Sequence, residues 1–247
     1  MLKLKSKMNK LFDKNITLDR EAHIYNLATN PDLEFISATT FIDRFFEKFD
    51  SKSIAEKLVT SSPKYMDMTV EEVLQSWKNS GLHGTQVHDE LEKYYNKDIA
   101  YNQLSDKKAI NGVDWLSGYT MTSQYIIYPE IIIYSKELKI SGTVDLLLFN
   151  KETKEYTVMD WKTSKNIPTK AYGNKRGILS ESSNIDDSKF NRYSLQLSLY
   201  RYLLEKYYGL KISKYLYILH LEENKCNPII ANYMKNDIIN MLDTIER

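Results

Sequence analysis

Residues that impose covalent or conformational constraints are scarce in this sequence. Its 247 residues include one cysteine, eight glycines and five prolines, with no internal repeat and no low-complexity tract. Because Cys226 is the single thiol, the chain cannot form an intramolecular disulfide, a zinc ribbon or a four-cysteine iron–sulfur cluster. This cysteine usage fits a reducing compartment, and we predict a cytoplasmic protein.

Long hydrophobic runs and an excess of one charge are also absent. No stretch of about 18 apolar residues occurs, so neither a transmembrane helix nor a membrane partner is predicted. Thirty-four Lys and Arg residues balance thirty-three Asp and Glu residues, which excludes a polycationic chromatin protein and a supercharged acidic tail. The balance leaves nucleic-acid binding open, because the local charge of a groove decides that property.

The remaining composition describes an ordinary globular chain. Apolar residues make up 42% of it and charged residues 27%, and the length is sufficient to bury a large core. We predict a single domain over residues 1–247. It divides into a basic N-terminal arm at 1–20, extended pieces with a helical cover at 21–120, and a core with a C-terminal helix at 121–247.

The N-terminal arm carries lysines and no acidic residue in its first twelve positions. These lysines are Lys3, Lys5, Lys7 and Lys10. The arm has no apolar central region, which excludes a secretory signal. A mitochondrial transit peptide stays open as an alternative, although the lack of arginine and the single serine favour a plain basic arm.

Apolar periodicity in the first half of the chain changes from extended to helical. Short extended pieces precede Thr39, and from there Phe41, Phe45 and Phe49 recur at helical spacing. The extended pieces are expected at 16–18, 23–25 and 35–36, and further helices near 52–60, 69–80, 84–96 and 105–119. Thr69 with Glu72 is typical of a capping box.

The second half begins with three segments rich in β-branched and aromatic residues. Short polar turns link these segments, 124–134, 139–149 and 156–161, and predict an antiparallel meander. The elements that follow are a long polar segment at 164–190, a helix at about 191–208, strands at 214–221 and 228–230, and a helix at about 232–245. This order predicts an α/β fold.

Two aspartates and a lysine stand out within the predicted meander. Asp145 lies in the second strand, and Asp160 with Lys162 closes the third. Since side chains alternate faces along a strand, Asp160 and Lys162 share one face. A buried carboxylate is costly unless it is paired or bound to a metal. Two interpretations therefore stay open: a structural salt bridge, or a Mg²⁺ site with Lys162 beside it that suits phosphodiester hydrolysis.

Two predicted helices carry polar side chains that could serve the same site. Gln196 and Tyr200 share one helix face with Tyr193, where they can bind phosphate, orient a lysine or stack a base. His88 shares a face with Gly84 and could point inward. A solvated helix face and a satisfied core histidine are the structural alternatives.

Together these residues resemble the PD-(D/E)XK nuclease superfamily in its RecB-like branch, and within it the mitochondrial genome maintenance exonucleases and related bacteriophage exonucleases. Four motifs stand in the family's order: Gly84-x-x-x-His88, Gly142-x-x-Asp145, Asp160-x-Lys162 and Gln196-x-x-x-Tyr200. The resemblance covers about residues 20–205. One departure is the missing proline before the first aspartate, where Thr143-Val144 stand instead.

The resemblance implies a restriction-endonuclease-like core, made of a helix, a three-stranded antiparallel meander, a helix and a further strand, with an added N-terminal helical region. It also implies Mg²⁺ or Mn²⁺ held by Asp145, Asp160 and the main-chain carbonyl of Trp161, with Lys162 as the catalytic lysine. An iron–sulfur cluster, which some members carry, is not expected here.

The remaining motif residues correspond to groups around that metal. His88 matches a histidine near it, and Gln196 with Tyr200 matches the helix motif specific to the branch. Glu130, on the first strand of the meander, could supply a third carboxylate; its alternative is an ordinary glutamate on the strand surface.

Basic and aromatic residues beside such a site suit single-stranded DNA, through phosphate contacts and base stacking. The predicted DNA-binding residues are Lys165, Lys170, Tyr172, Lys175, Arg176 and Tyr193. The sequence thus predicts a metal-dependent DNA exonuclease of a bacterial or phage-infected cell, acting on single-stranded DNA or flaps with free ends. The alternatives are a structure-specific or restriction-type endonuclease and a catalytically silent protein that binds DNA on the same fold.

Overall fold

The computed structural model of the protein describes residues 10–121 and 124–245. Three lysines of the predicted basic arm, Lys3, Lys5 and Lys7, lie outside the described residues. Lys10 lies within them, and its ammonium group donates a hydrogen bond of 2.7 Å to the main-chain carbonyl of Tyr207.

A mixed sheet forms the centre of the structure, as the prediction of an α/β fold requires. The predicted antiparallel meander is confirmed: β4 (Tyr125–Ser135), β5 (Ile140–Asn150) and β6 (Tyr156–Lys162) pair in that way. The short polar turns permit no other direction, because parallel neighbours need a crossover connection.

Three more strands extend this sheet. β7 (Leu216–Leu221) runs parallel to β6, because the chain between them crosses over through a long helix. β8 (Cys226–Ala231) pairs antiparallel with β7, and the short β3 (Ile36–Ser37) runs parallel to β5. A separate hairpin of β1 (Ile16–Asp19) and β2 (Ile24–Leu27) confirms the extended pieces expected near the N-terminus.

Helices cover both faces of the sheet. They are α1 (Ala38–Asp43), α2 (Ser51–Ser61), α3 (Val70–Tyr95), α4 (Lys107–Tyr119), α5 (Lys189–Tyr208) and α6 (Lys235–Leu242). Single 3₁₀ turns occur at Tyr101–Gln103 and Tyr172–Asn174. No helix within the described ranges is long and apolar enough to cross a membrane.

Two helices differ from the sequence prediction. The helix expected from Thr39 onwards ends at Asp43, and the buried rings of Phe45 and Phe46 follow in a turn, which leaves Phe49 64% exposed. α3 is one continuous helix where two were expected. The predicted capping box at Thr69 starts it, and its Gly81 lowers helix propensity without stopping the hydrogen-bond ladder, since no proline intervenes.

Apolar side chains fill both sides of the sheet. The α5 core lies between one face and helices α1, α5 and α6, and it includes Val158, Leu195, Leu199 and Leu203. The α3 core lies between the other face and helices α3 and α4, and it includes Val87, Leu91, Met159 and Trp161. β6 is therefore buried on both faces, and the polar Thr157 and Asp160 are buried along with its apolar residues.

Candidate active site

The alternation of side chains reverses in the middle of β5. Val144 and Leu147 both pack into the α5 core although they are three residues apart, while Leu146 and Leu148 pack into the α3 core. A regular strand would place Val144 with Leu146. The reversal falls at Asp145. Before this residue the even-numbered side chains of β5 face the α5 core, and after it the odd-numbered side chains do.

β4 reverses at the matching position. Tyr128 and Ile131 both pack against the α5 core, and between them Glu130 adopts a left-handed backbone with φ of 49°. The pairing of Pro129 with Leu146 and of Ile131 with Val144 puts Glu130 opposite Asp145. A non-glycine residue with positive φ is strained, and such strain collects at functional sites.

This arrangement brings three potential metal ligands together from three elements. One ligand atom each from His88 on α3, Glu130 on β4 and Asp145 on β5 lies within 4.8 Å of the others. His88 Nδ1 is 3.5 Å from Asp145 Oδ2. Imidazole and carboxylate groups at this spacing could hold one divalent cation. Glu130 therefore faces the site rather than a plain strand surface.

Asp160 and Lys162 stand beside this cluster at the end of β6. The Asp160 side chain is 1% exposed, and its Oδ2 is 2.5 Å from Lys162 Nζ. The salt bridge that was one interpretation of the sequence is therefore present. Lys162 Nζ also lies 4.7 Å from the centre of the Tyr193 ring, a cation–π distance.

The motif on α5 reaches Asp160 directly. Gln196 Nε2 lies 3.1 Å from Asp160 Oδ1 and 3.1 Å from the Tyr200 hydroxyl. Gln196 and Tyr200 are both buried, so the interpretation of this motif as a solvated helix face is wrong. An amide that bridges a buried carboxylate and a phenol fixes the orientation of Asp160.

Backbone geometry links Trp161 to Asp145. The Trp161 N–H donates a hydrogen bond of 2.9 Å to Asp145 Oδ2. In an extended strand the N–H and C=O of one residue point to the same side, so the Trp161 carbonyl also faces β5. The Trp161 ring turns away into the α3 core, where it stacks on Tyr95 with 6.5 Å between ring centres.

Two motif glycines are explained by close approach. A Cβ added to Gly142 would lie 2.6 Å from Tyr200 Cε1, so the missing side chain lets the Tyr200 ring lie against β5. A Cβ on Gly84 would lie 2.8 Å from Thr163 Oγ1, so α3 can pack against the end of β6. Both glycines thus bring helix residues of the motifs toward the aspartates.

Burial makes the carboxylates of the site reluctant to ionise. It raises the pKa of Asp160 to about 6, an effect that Lys162 opposes, and it also raises the pKa of Asp145. The pKa of Glu130 rises to about 9, first through burial and then through the charge of Asp145. A nearby positive charge, such as a metal ion, would favour the ionised form of these buried carboxyl groups.

The two basic groups respond in opposite directions. Burial lowers the pKa of His88 to about 4, and the charge of Lys162 acts in the same direction, so the ring is neutral and able to bind a metal. Burial also opposes the charge on Lys162, but Asp160 and Asp145 outweigh that effect and raise its pKa. Lys162 therefore carries a positive charge beside the carboxylates.

Comparison with known proteins gives a partial match. No family model matches the chain. Over 98 residues it is 29% identical to one component of an ATP-dependent helicase/nuclease from Carboxydothermus hydrogenoformans, a segment that covers 39% of this chain and 7% of that relative. A comparison with the crystal structure of SSO0001 covers 98% of this chain and 80% of the SSO0001 chain, at 12% sequence identity and a TM-score of 0.35.

Sequence reasoning missed a network that holds the chain just after Lys162. His220 on β7, paired in register with Lys162, is 6% exposed, and its Nε2 donates a hydrogen bond of 2.6 Å to the Ser164 carbonyl. The Ser164 hydroxyl is 2.8 Å from the Tyr193 hydroxyl. Lys108 Nζ donates to the Thr163 carbonyl at 3.2 Å. His220 follows Leu216 and Ile218 at alternate positions of the predicted strand, a spacing that could have identified it as inward-facing, but it belongs to none of the motifs.

The other predicted DNA-binding residues lie on the surface. Lys165 and Lys170 are exposed, and the Tyr172 ring is 85% exposed. Lys175 forms an ion pair with Glu47. The exposed Arg176 pairs through its backbone with Asp186. Tyr193, by contrast, contacts the site, because its ring lies against the ammonium group of Lys162. The DNA-binding roles of these residues stay predictions.

Proposed function

We propose that this protein is a metal-dependent deoxyribonuclease that hydrolyses DNA from free ends, with single-stranded DNA or flaps as its substrates. The observation that carries the proposal is the convergence of His88, Glu130 and Asp145 within 4.8 Å, with the Asp160–Lys162 pair on the adjacent strand. The partial similarity to a component of a helicase/nuclease supports the same reaction class.

The residues of the site fit a hard divalent cation, Mg²⁺ or Mn²⁺. Buried carboxylates with raised pKa values offer oxygen ligands whose charge needs compensation, and neutral His88 offers a nitrogen. Asp145, Asp160 and the Trp161 carbonyl would hold the ion, with Glu130 and His88 completing the set. A bound cation would supply a Lewis acid for the phosphate oxygens.

Lys162 and the α5 motif supply the protein's own contributions. The ammonium of Lys162, charged and fixed between Asp160 and the Tyr193 ring, stabilises negative charge on the phosphate that is attacked and orients the attacking water. Gln196, with Tyr200 behind it, holds Asp160 in a single orientation, which keeps Lys162 and the metal ligands in register.

The substrate assignment rests on the chemistry around the site. Exposed cations on the segment after β6 suit phosphates, and the ring of Tyr172 suits a nucleobase. Lys165, Lys170, Lys175 and Arg176 would contact the DNA backbone, with Tyr193 at the boundary to the site.

Two competing functions predict different results. A structure-specific or restriction-type endonuclease would use the same residues on internal bonds. A catalytically silent DNA-binding protein would bind without cutting, but a decayed site would be expected to lose Asp145, Asp160 or Lys162, and all three are present.

End-labelled linear DNA and covalently closed single-stranded circles, incubated with Mg²⁺ or Mn²⁺, separate these functions. We expect the wild type to degrade linear DNA and spare circles. Lys162→Ala should abolish cutting, whereas Lys206→Ala, at an exposed position on α5, should leave it unchanged. Cutting of circles would support the endonuclease, and no cutting with either metal would support the silent DNA-binding protein.

A further inference from the structure

Tyrosine rings from three elements gather in a cleft on the sheet face away from Asp160. The cleft has a volume of about 160 Å³ and is lined by Tyr119 of α4, Tyr125 of β4, Tyr215 just before β7 and Tyr217 within β7. On β6 it reaches Thr157, which shares a face with Met159 rather than with Asp160. The cleft is therefore distinct from the acidic site.

The rings form one continuous aromatic surface. The Tyr119 ring centre is 6.1 Å from that of Tyr217 and 5.7 Å from that of Tyr125, and Trp115 stacks on Tyr119 at 5.2 Å. Tyr215 extends this surface to solvent, with 44% of the residue exposed. The ring planes are inclined to one another, by 67° between Tyr119 and Tyr217 and by 55° between Tyr215 and Tyr217, and the exposed Tyr215 ring offers a face on which a ligand can stack.

Polar groups and lysines surround the rings. Asn150 and Ser213 line the same cleft. The Ser213 hydroxyl is used within the protein, between Thr157 and the Tyr215 carbonyl, whereas the Asn150 side-chain NH₂ could donate to the edge of a planar ring. Glu155 is the charged residue among the lining residues, and Glu152 lies nearby in the sequence. Four exposed lysines adjoin the lining residues in the sequence and outnumber these two acids: Lys151, Lys154, Lys211 and Lys214. Lys211 pairs with Glu155 at 3.0 Å, and Lys214 Nζ lies 5.4 Å from the Tyr215 ring centre.

From these contacts we infer that the tyrosine cleft is a second binding site for single-stranded DNA, at which a base stacks on Tyr215 and Tyr119 while the lysines contact the phosphates. Aromatic platforms within a positively charged rim are the usual means of binding single strands without sequence preference. A volume of about 160 Å³ is below the range of about 300–1,000 Å³ that is typical of sites for drug-sized ligands, which favours a small planar group such as a base. The choice of DNA as ligand rests on the proposed function.

Binding in EDTA tests the cleft without any hydrolysis. Fluorescence anisotropy would measure the affinity of the full chain for an oligothymidylate of about 25 nucleotides, long enough to occupy more than one site. We expect Tyr215→Ala to weaken binding about ten-fold, whereas Tyr215→Phe, which retains the ring, should bind like the wild type. Tyr101→Ala is the matched control, because Tyr101 is 47% exposed and lies outside the cleft.

Photocrosslinking gives a second readout that does not depend on stability. An oligonucleotide containing 5-iododeoxyuridine should crosslink to Tyr215, Tyr119 or Tyr217. Unchanged affinity in Tyr215→Ala, or crosslinks confined to the segment 164–176, would overturn the inference. If the wild type cuts DNA but Tyr215→Ala leaves the affinity unchanged, the second binding site would be refuted and the proposed nuclease retained. A chain that loses binding with Tyr215→Ala yet never cuts DNA would refute the nuclease and retain the cleft.

Discussion

The main-chain N–H of Trp161 donates a hydrogen bond to Asp145 Oδ2 over 2.9 Å. The carboxylate of one strand is thus oriented by the backbone of the next, at the point where both strands approach His88 and Glu130. No side-chain substitution at residue 161 can remove that donor except proline, since every other residue keeps its N–H. The backbone of β6 therefore orients the Asp145 carboxylate, and substitutions at neighbouring side chains can be tested without removing this hydrogen bond.

Glu130→Gln should stabilise the metal-free protein and weaken metal binding. The pKa of Glu130 is raised to about 9, so the stability linked to its protonation is full below its ordinary pKa near 4.5 and is lost as the pH rises toward 9. Glutamine does not incur this loss. We expect a higher Tm than wild type at pH 7.5 in EDTA, a difference that closes near pH 4.5, and a smaller Tm increase with Mn²⁺. Glu137→Gln, in the turn after β4, is the control. An equal metal-induced increase in Glu130→Gln would exclude Glu130 as a ligand.

Metal binding should release protons and tighten as the pH rises from 6 to 9. Asp160, with a pKa of about 6, and Glu130, with a pKa of about 9, must ionise before they can bind a cation. Calorimetric titration with Mn²⁺ in two buffers of different ionisation enthalpy measures the protons released. A Kd that does not change over this pH range would contradict the involvement of either carboxylate.

Gly142→Ala should destabilise the fold and slow DNA cleavage. The new methyl group would lie 2.6 Å from Tyr200 Cε1 and 3.2 Å from the Ala38 Cβ, so the Tyr200 ring must shift and Gln196 with it. Overpacking of this kind costs about 1–3 kcal/mol. Gly118→Ala on α4 meets nothing within 4 Å and should instead stabilise the helix by up to about 1 kcal/mol. Thermal denaturation compares the two, and equal Tm values would refute the packing argument.

His220→Ala should reduce cleavage more than it reduces DNA binding. The Ser164 carbonyl loses its donor, and through the Ser164 and Tyr193 hydroxyls the support under Lys162 loosens. We expect about a ten-fold fall in kcat with little change in KM, and partial recovery in His220→Gln, whose amide can still donate. A parallel fall in Tm and kcat without recovery by glutamine would assign His220 to folding alone.

Much of the fold followed from the sequence because its signals are local. Three β-rich segments with short links predicted the meander, and the capping box at Thr69 predicted the start of α3, and both predictions are confirmed. The end of α1 and the fusion of two predicted helices into α3 were missed. Phe45 and Phe46 have helical spacing but are buried by tertiary packing, and no local signal records that.

Residues of the candidate site could be predicted where they belong to a sequence motif, but not where backbone conformation or strand register places them. Asp145, Asp160, Lys162 and Gln196 were each singled out by spacing, and the structure brings them together. For Glu130 the sequence left two interpretations open, a third carboxylate or an ordinary strand glutamate, because a positive φ at a glutamate cannot be predicted from the amino-acid sequence. His220 acts across a parallel pair whose register depends on the whole crossover.

The site draws its residues from α3, β4, β5, β6 and α5, so most of the chain must be in place before it exists. During synthesis the aspartates emerge before Gln196 and Tyr200, and non-local contacts of this kind generally form more slowly than the local contacts within a helix. A nascent or partly unfolded chain therefore contains the acidic residues of the site but does not hold them close together. A nuclease of the kind proposed would therefore be active only in the folded chain, and metal binding would report on the complete native state.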